Sequence, residues 1–265
     1  MPQRIQLNEQ EVIAKYKEIQ SQPKVGELFG VSYGPISRIL NKHNIKKNSS
    51  RKYQMDFDYF ESINTPNKAY WLGFLYADGY VRKRKSSSEL KLKLGKKDIG
   101  HVEKFKECLN AETPIKEEHT IVVVNGKEHH SDCCFISLSS RKLVDDLIDK
   151  GCGNKKTFTI QFPDWLDDDL IKHFIRGYFD GDGYLRSNGY SGFRINIASG
   201  SRDMLLGVGE WLKDKNIIEK YSLREQGKCS LLNIESVSAR KFLQLIYDDC
   251  EMYLERKREK YLELC

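Results

Sequence analysis

The 265-residue chain lacks any apolar run approaching the ~18–20 residues that a membrane-spanning helix needs. Its first residues, Met1-Pro2-Gln3-Arg4, lack the apolar stretch of a secretory signal. No Cys-x-x-Cys occurs, and the seven cysteines, at 108, 133, 134, 152, 229, 250 and 265, are odd in number and scattered. A disulfide framework and a zinc knuckle are therefore not expected. Scattered thiols suit a reducing cytoplasm, with a nucleoid association or an organellar matrix as alternatives. What is present, 39% hydrophobic and 31% charged residues, fits a globular protein of about two domains by length.

The net charge of +6 is unevenly placed. Residues 1–50 carry 8 Lys/Arg against 4 Asp/Glu, and residues 51–110 carry 13 against 8, so the remainder is net −3. A basic front half suggests a polyanionic partner, with ordinary solvated lysines as the plain alternative.

Residues 8–47 read as three short helices. Asn8 caps a helix from Glu9, a second covers about 22–29, Gly30 supplies the turn, and Ser32 caps a third with Pro35 in its first turn. Val25, Phe29, Val31, Ile36 and Ile39 stand where a helix-turn-helix needs its small core. The arrangement is similar to a helix-turn-helix. That likeness implies a third helix in the major groove, with Tyr33, Ser37 and Arg38 exposed and Lys42 near phosphates. Gly26, where the motif usually has Ala, is expected to loosen the second helix. The basic segment 46–52 reads as a linker that itself tracks phosphates.

The most informative feature is a window that recurs 104 positions later. Trp71-Leu72-Gly73-Phe74-Leu75-Tyr76-Ala77-Asp78-Gly79 is matched by Ile175-Arg176-Gly177-Tyr178-Phe179-Asp180-Gly181-Asp182-Gly183. The likeness continues. Tyr80-Val81-Arg82 parallels Tyr184-Leu185-Arg186, and a strand with Leu90, Leu92 and Leu94 alternating with lysines parallels Ile195 and Ile197 with Arg194 and Asn196. The wet face of these strands reads as basic or amide-bearing. A helix follows (about 98–109 and 202–213). Two strands around a glycine come next, at 121–125 and 133–138 around Gly126, then at 221–226 and 230–234 around Gly227. A closing helix ends each half, near 140–150 and 238–247. Each half thus reads αββαββα, a duplicated α+β domain rather than a solenoid.

Gly73 with Ala77, and Gly177 with Gly181, make small stripes at helical spacing, which allow two backbones to approach closely. Packed against its duplicate, each helix ends at the same level, so Asp78 and Asp182 sit side by side. Paired carboxylates at two negative helix ends favour a divalent cation such as Mg²⁺. Metal-assisted phosphodiester hydrolysis uses such a site. A capping Asp-Gly turn is the plain alternative for either copy alone.

With both windows in place, residues 56–262 resemble the LAGLIDADG homing endonucleases in their single-chain, two-repeat form. The second window is the closer match. The first departs at its sixth position, where Tyr76 replaces the usual Asp, while Asp78 at the eighth position is kept. The resemblance implies a DNA-binding saddle of two pseudo-symmetric repeats, with boundaries at 1–50, 51–152 and 153–265. It implies Asp78 and Asp182 as catalytic metal ligands, with Ala77 and Gly181 as further metal-binding positions. The reading surfaces are then Tyr80, Arg82, Lys91 and Lys93 from one half and Tyr184, Arg186, Arg194 and Asn196 from the other. Lys156 and Lys257 fit the family's lysine near each scissile phosphate, with neighbouring Lys155 and Arg256 as alternatives. A basic linker and a charged terminal helix are the plain readings of the same residues.

The function so implied is a monomeric, Mg²⁺-dependent, site-specific endonuclease acting on double-stranded DNA, with neither a membrane nor an obligate protein partner. A non-cleaving DNA-binding regulator and an intron RNA splicing cofactor on the same fold are the rivals. Protein splicing is not expected from a chain that begins Met1-Pro2 and ends Glu263-Leu264-Cys265. His129 and His130 are expected to be exposed hairpin residues without a metal partner on a second element.

Overall fold

The computed structural model describes residues 7–19, 21–45, 53–124, 127–154, 156–187 and 193–263. Two compact units divide the chain, one ending at Tyr53 and the other beginning at Gln54.

The first unit holds α1 (Glu9–Ile19), α2 (Gln22–Leu28) and α3 (Tyr33–Lys42). Asn8 starts α1, its Oδ1 accepting from the backbone N–H of Gln10 at 3.1 Å and Glu11 at 3.4 Å. These are donors that a first helical turn otherwise leaves unpaired. Val12, Ile13, Tyr16, Val25, Ile36 and Leu40 form the unit's own buried core, with Phe29, Val31 and Ile39 at its edge. Gly30 takes the left-handed conformation at φ +63° that the turn requires. Two expectations need correction. Ser32 occupies the N-cap position of α3, yet its side chain makes no capping bond. Gly26 closes the motif rather than loosening it, because a Cβ there would come within 2.6 Å of the Val31 carbonyl oxygen. The basic segment 46–52 lies outside the described residues.

The second unit runs α4 (Pro66–Asp78), β1 (Gly79–Lys83), β2 (Ser88–Gly95), α5 (Ile99–Cys108), β3 (Lys116–Val124), β4 (Lys127–Leu138) and α6 (Arg141–Asp149). It then repeats as α7 (Asp168–Asp182), β5 (Gly183–Ser187), β6 (Phe193–Ser199), α8 (Arg202–Asp214), β7 (Ser222–Gln226), β8 (Cys229–Glu235) and α9 (Ser236–Tyr247). A last helix, α10 (Glu255–Leu262), follows. The expected αββαββα order is therefore present twice. Each half builds one four-stranded antiparallel sheet, in the orders β1-β2-β4-β3 and β5-β6-β8-β7.

Alternation sets the faces. Val81, Leu90, Leu92, Leu94, Leu185, Ile195 and Ile197 all point into one buried cluster that the two halves share. The hairpin β3–β4 is longer than the alternation predicts, pairing from Lys116↔Phe135 to Val124↔Lys127. Polar residues such as Glu117, His119 and Asp132 occupy its extension, so backbone pairing continues where the hydrophobic signal stops.

Candidate active site and nucleic-acid interface

The site is built on α4 and α7. Thr65 caps α4 by accepting from Lys68 N–H at 3.3 Å, and Pro66 follows in the first turn. Both helices are buried along most of their length, from Ala69 to Tyr76 and from Phe174 to Asp180. They pack backbone to backbone at two glycines. A Cβ on Gly73 would lie within 2.8 Å of the Phe174 carbonyl carbon, and one on Gly177 equally close to that of Tyr70. The expected stripe of small residues is thus the contact between the halves. One turn on, Ala77 lies against Gly181, and Asp78 Oδ2 is 3.2 Å from where a Gly181 Cβ would stand. The carboxylate of the first half therefore rests on the backbone of the second, next to Asp182.

Gly79 and Gly183 let each helix pass directly into a strand. Neither uses a left-handed φ; both have extended backbone. Their missing side chains matter because a Cβ on Gly79 would meet the Leu75 carbonyl oxygen at 2.6 Å, and one on Gly183 the Phe179 ring.

The carboxylates of Asp78 and Asp182 reach solvent on one side and crowded helix ends on the other. Desolvation pushes Asp78 up, against the pull of Lys257, Lys156 and Arg256. Desolvation and then the charge of Asp78 push Asp182 up to about 6, with Lys156 and Lys257 opposing. Both carboxyls are therefore raised, and their mutual repulsion disfavours two charges at once.

Two lysines close the helix ends. Lys156 Nζ donates to the carbonyls of Tyr76 at 2.7 Å and Ala77 at 3.2 Å. Lys257 Nζ donates to the carbonyls of Phe179 and, at 2.6 Å, Gly183. The Tyr76 and Ala77 carbonyls lie in the last turn of α4, where intrahelical partners run out, whereas the Phe179 carbonyl also accepts the Gly183 N–H; a cation at either helix end meets the negative end of the dipole. Lys257 is only 6% exposed, and desolvation lowers it to about 8 against the pull of Asp180, Asp78 and Asp182. Of the alternatives, Arg256 turns to Asp98 at 3.1 Å, and Lys155 lies outside the described residues.

Sequence reasoning missed a buried polar network beneath this site. Asp180 is fully buried and accepts from Tyr70 Oη at 2.7 Å, Tyr247 Oη at 2.5 Å and Leu254 N–H at 2.8 Å. Arg176, one turn earlier, donates to the carbonyls of Met252 at 2.7 Å and Ile246 at 3.0 Å. Tyr70 gives its proton to Asp180, so the His101 Nε2–H donates to Tyr70 at 3.1 Å. Burial keeps that imidazole neutral, lowering it to about 3. The available signal was Arg176 and Asp180 four residues apart in the otherwise apolar stretch Phe174–Asp180. Buried charges at that spacing need partners elsewhere.

The predicted reading residues share the polar faces of the two sheets. Tyr80 pairs with Lys91 and Arg82 with Glu89 across β1–β2, and Tyr184 pairs with Asn196 and Arg186 with Arg194 across β5–β6. Tyr80 and Tyr184 are 46% and 57% exposed, with Arg82 and Lys260 lying over their rings. The faces also hold acids, correcting the purely basic reading. Arg82 pairs with Glu89 at 2.7 Å, Lys93 with Glu118 at 2.8 Å, and Arg194 with Glu235 at 2.8 Å. Lys91 lies over the Phe135 ring at 3.8 Å, and Asn196 donates to Asn233.

In the first unit Tyr33 is 64% exposed and Arg38 is exposed, while Ser37 is half-buried. Lys42 bonds Glu9 at 2.8 and 3.0 Å, fastening the end of α3 to the start of α1. His130 is exposed as expected, but it does have a partner on a second strand: His119 Nε2 lies 3.2 Å from its Nδ1, and His119 Nδ1 bonds Asp132 at 2.6 Å. The His129 side chain lies outside the description. Among the described residues no group of three or more His, Cys, Asp or Glu could hold a metal ion, and no helix is long and apolar enough to cross a membrane.

Residues 169–247 match the family model described as a LAGLIDADG-like domain. The fold is similar to that of the homing endonuclease I-WcaI bound to its DNA recognition sequence, at 12% identity and a TM-score of 0.52, over 76% of this chain and 90% of that one. Full-length DUF199/WhiA from Thermatoga maritima is also similar, at 18% identity and a TM-score of 0.49, over 79% of this chain and 63% of that one. A curated relative, the isomerizing glutamine–fructose-6-phosphate aminotransferase of Methanocaldococcus jannaschii, is 25% identical over 204 residues. That match spans 75% of this chain but only 16% of the aminotransferase. The chain thus has the LAGLIDADG fold, with a LAGLIDADG-like domain in its second half.

Proposed function

We propose that this chain is a site-specific, divalent-metal-dependent DNA endonuclease, working as a monomer and assisted by its N-terminal helix-turn-helix. One observation carries the reading. Asp78 lies on the backbone of Gly181 beside Asp182, with Lys156 and Lys257 at the same helix ends. A protein that only binds DNA gains nothing from two carboxylates brought together against their own repulsion beneath a polyanion.

The residues fit a hard divalent cation. Mg²⁺ takes one or two carboxylates and fills the rest of its shell with phosphate and water. Asp78 and Asp182 supply two such ligands, and the carbonyls of Ala77 and Gly181 stand beside them. Metal bound there supplies an activated water and stabilises the leaving oxygen. The chain does the rest. Asp78 and Asp182 must both be ionised to bind metal, and both are raised in the folded protein. Lys156 and Lys257 hold positive charge close to where a phosphodiester must sit. Arg82, Lys91, Lys93, Arg186, Arg194 and Asn196 align the duplex, with Tyr80 and Tyr184 packing on it. Arg and Asn suit guanine and adenine edges. Glu89, Glu118 and Glu235 pre-orient Arg82, Lys93 and Arg194 before DNA arrives.

Incubating the full chain with Mg²⁺ and a library of randomised duplexes tests this. Metal-dependent cutting or nicking at a defined site supports the reading. A band shift without cutting supports a DNA-binding regulator instead, and a preference for folded RNA supports a splicing cofactor.

A further inference from the structure

The sixth position of each motif helix faces away from the carboxylate pair, into the protein, and in each half it meets the segment that brings in that half's lysine. In the second half the residue is Asp180. It receives Leu254 N–H at 2.8 Å, three residues before Lys257, and Tyr247 Oη at 2.5 Å from the end of α9. In the first half the equivalent residue is Tyr76. Its hydroxyl donates to the Lys150 carbonyl at the end of α6, six residues before Lys156. The turn there is tight: Gly151 has φ +88°, and Cys152 Sγ reaches the Leu75 carbonyl at 3.5 Å.

We propose that Asp180 and Tyr76 are matched positioning residues, each fastening the chain segment that delivers Lys257 or Lys156 to its own helix end. The inference rests on the nuclease reading for its consequence, though not for its geometry. It explains how the first motif tolerates Tyr where the second has Asp. Asp180 must accept, because a backbone N–H and two phenols point at it. Tyr76 must donate, because a helix C-terminal carbonyl lacks an intrahelical partner. The two lysines are also held differently, Lys156 on the carbonyls of Tyr76 and Ala77, Lys257 on those of Phe179 and Gly183. Each anchor therefore serves one half, and disturbing it should disturb one strand of the duplex.

A crossed experiment decides it. The full-length protein and its Asp180→Asn and Tyr76→Phe variants are treated with limiting acetic anhydride, without metal or DNA, and lysine acetylation is read by peptide mass spectrometry. Asp180→Asn should raise labelling of Lys257 and leave Lys156 unchanged; Tyr76→Phe should do the reverse. An equal rise at both lysines, or at neither, overturns the proposal. If Asp180→Asn fails to fold, Tyr247→Phe removes one of the three bonds to Asp180 and should give the same selectivity at smaller amplitude. On a cleavable duplex with each strand labelled, the two variants should slow opposite strands by about ten- to a hundredfold in kcat with KM little changed. Asp180→Asn should add nothing to Lys257→Met. Equal slowing of both strands overturns the proposal. If the unaltered protein cuts no duplex at all, the nuclease reading falls, and the labelling pattern alone decides the positioning.

Discussion

Asp182 carries a cost that its proposed role as a metal ligand explains. Its folded-state carboxyl stands at about 6, above the ordinary 3.8, so the folded protein binds this proton more tightly than the unfolded chain does. The stability it contributes is full below about pH 4 and is lost as pH rises to about 6. Asp182→Asn should therefore raise the unfolding temperature at pH 7.5 in chelator, and Mg²⁺ should stabilise the unaltered protein more than the variant. An unchanged unfolding temperature would remove the repulsion argument. Cleavage has the opposite pH sense: the rate should fall as pH drops through about 6, where Asp182 takes up its proton. Asp78→Asn or Asp182→Asn should cost at least about a hundredfold in double-strand cleavage, because a metal contributes several kcal/mol to the transition state. Gel-shift affinity in Ca²⁺ should be nearly unchanged for both. The carboxylates were legible in the sequence because they recur at one spacing with matched neighbours. Asp180 was not, since its partners Tyr70, Tyr247 and Leu254 lie 110, 67 and 74 positions away, and only the fold brings them together.

The two motif helices work as an element pair because nothing separates their backbones at Gly73 and Gly177. Gly177→Ala puts a methyl group into the Tyr70 carbonyl, which cannot rotate away as a side chain would. The helices must part, at a cost of about 1–3 kcal/mol or more. Urea unfolding should register that loss, and the shift should move Asp78 relative to Asp182, so the cleavage rate should fall further than a stability change alone predicts. A variant as stable and as active as the unaltered protein would mean that the stripe is not the hinge of the site. At this scale the sequence reading was good where periodicity was strong. The ends of the paired helices and the first two strands of each half stand where the recurring windows placed them, while the helix starts at Pro66 and Asp168 were not read. It was weakest at β3 and β4, whose pairing runs on through Lys116–Thr120 and Lys127–Asp132 without apolar alternation. It also missed the acids of the sheet face, because Glu89, Glu118 and Glu235 acquire meaning only through the cations opposite or beside them.

At the scale of the whole molecule, the proposed function assigns the chemistry and the main duplex contacts to the second of two compact units, and added binding to the first. The first has its own buried core, so it needs nothing from the second to keep α3 formed. The second holds both carboxylates, both lysines and both sheets in one shared core. A protein lacking residues 1–53 should therefore fold and cut in Mg²⁺ at saturating concentration, with a kcat close to that of the full chain. On the proposed function its affinity should fall, and so should the salt dependence of binding, because the positive charge of residues 1–53, exposed Arg38 included, is lost. Lys42 is the finer test. It is tied to Glu9, so Glu9→Gln frees its ammonium while loosening the junction of α1 and α3. If α3 enters a groove as a rigid reader, that variant should relax sequence preference in a selection from randomised duplexes. If the first unit only adds positive charge, Glu9→Gln should tighten binding to every duplex alike, and the preference should stay as it was.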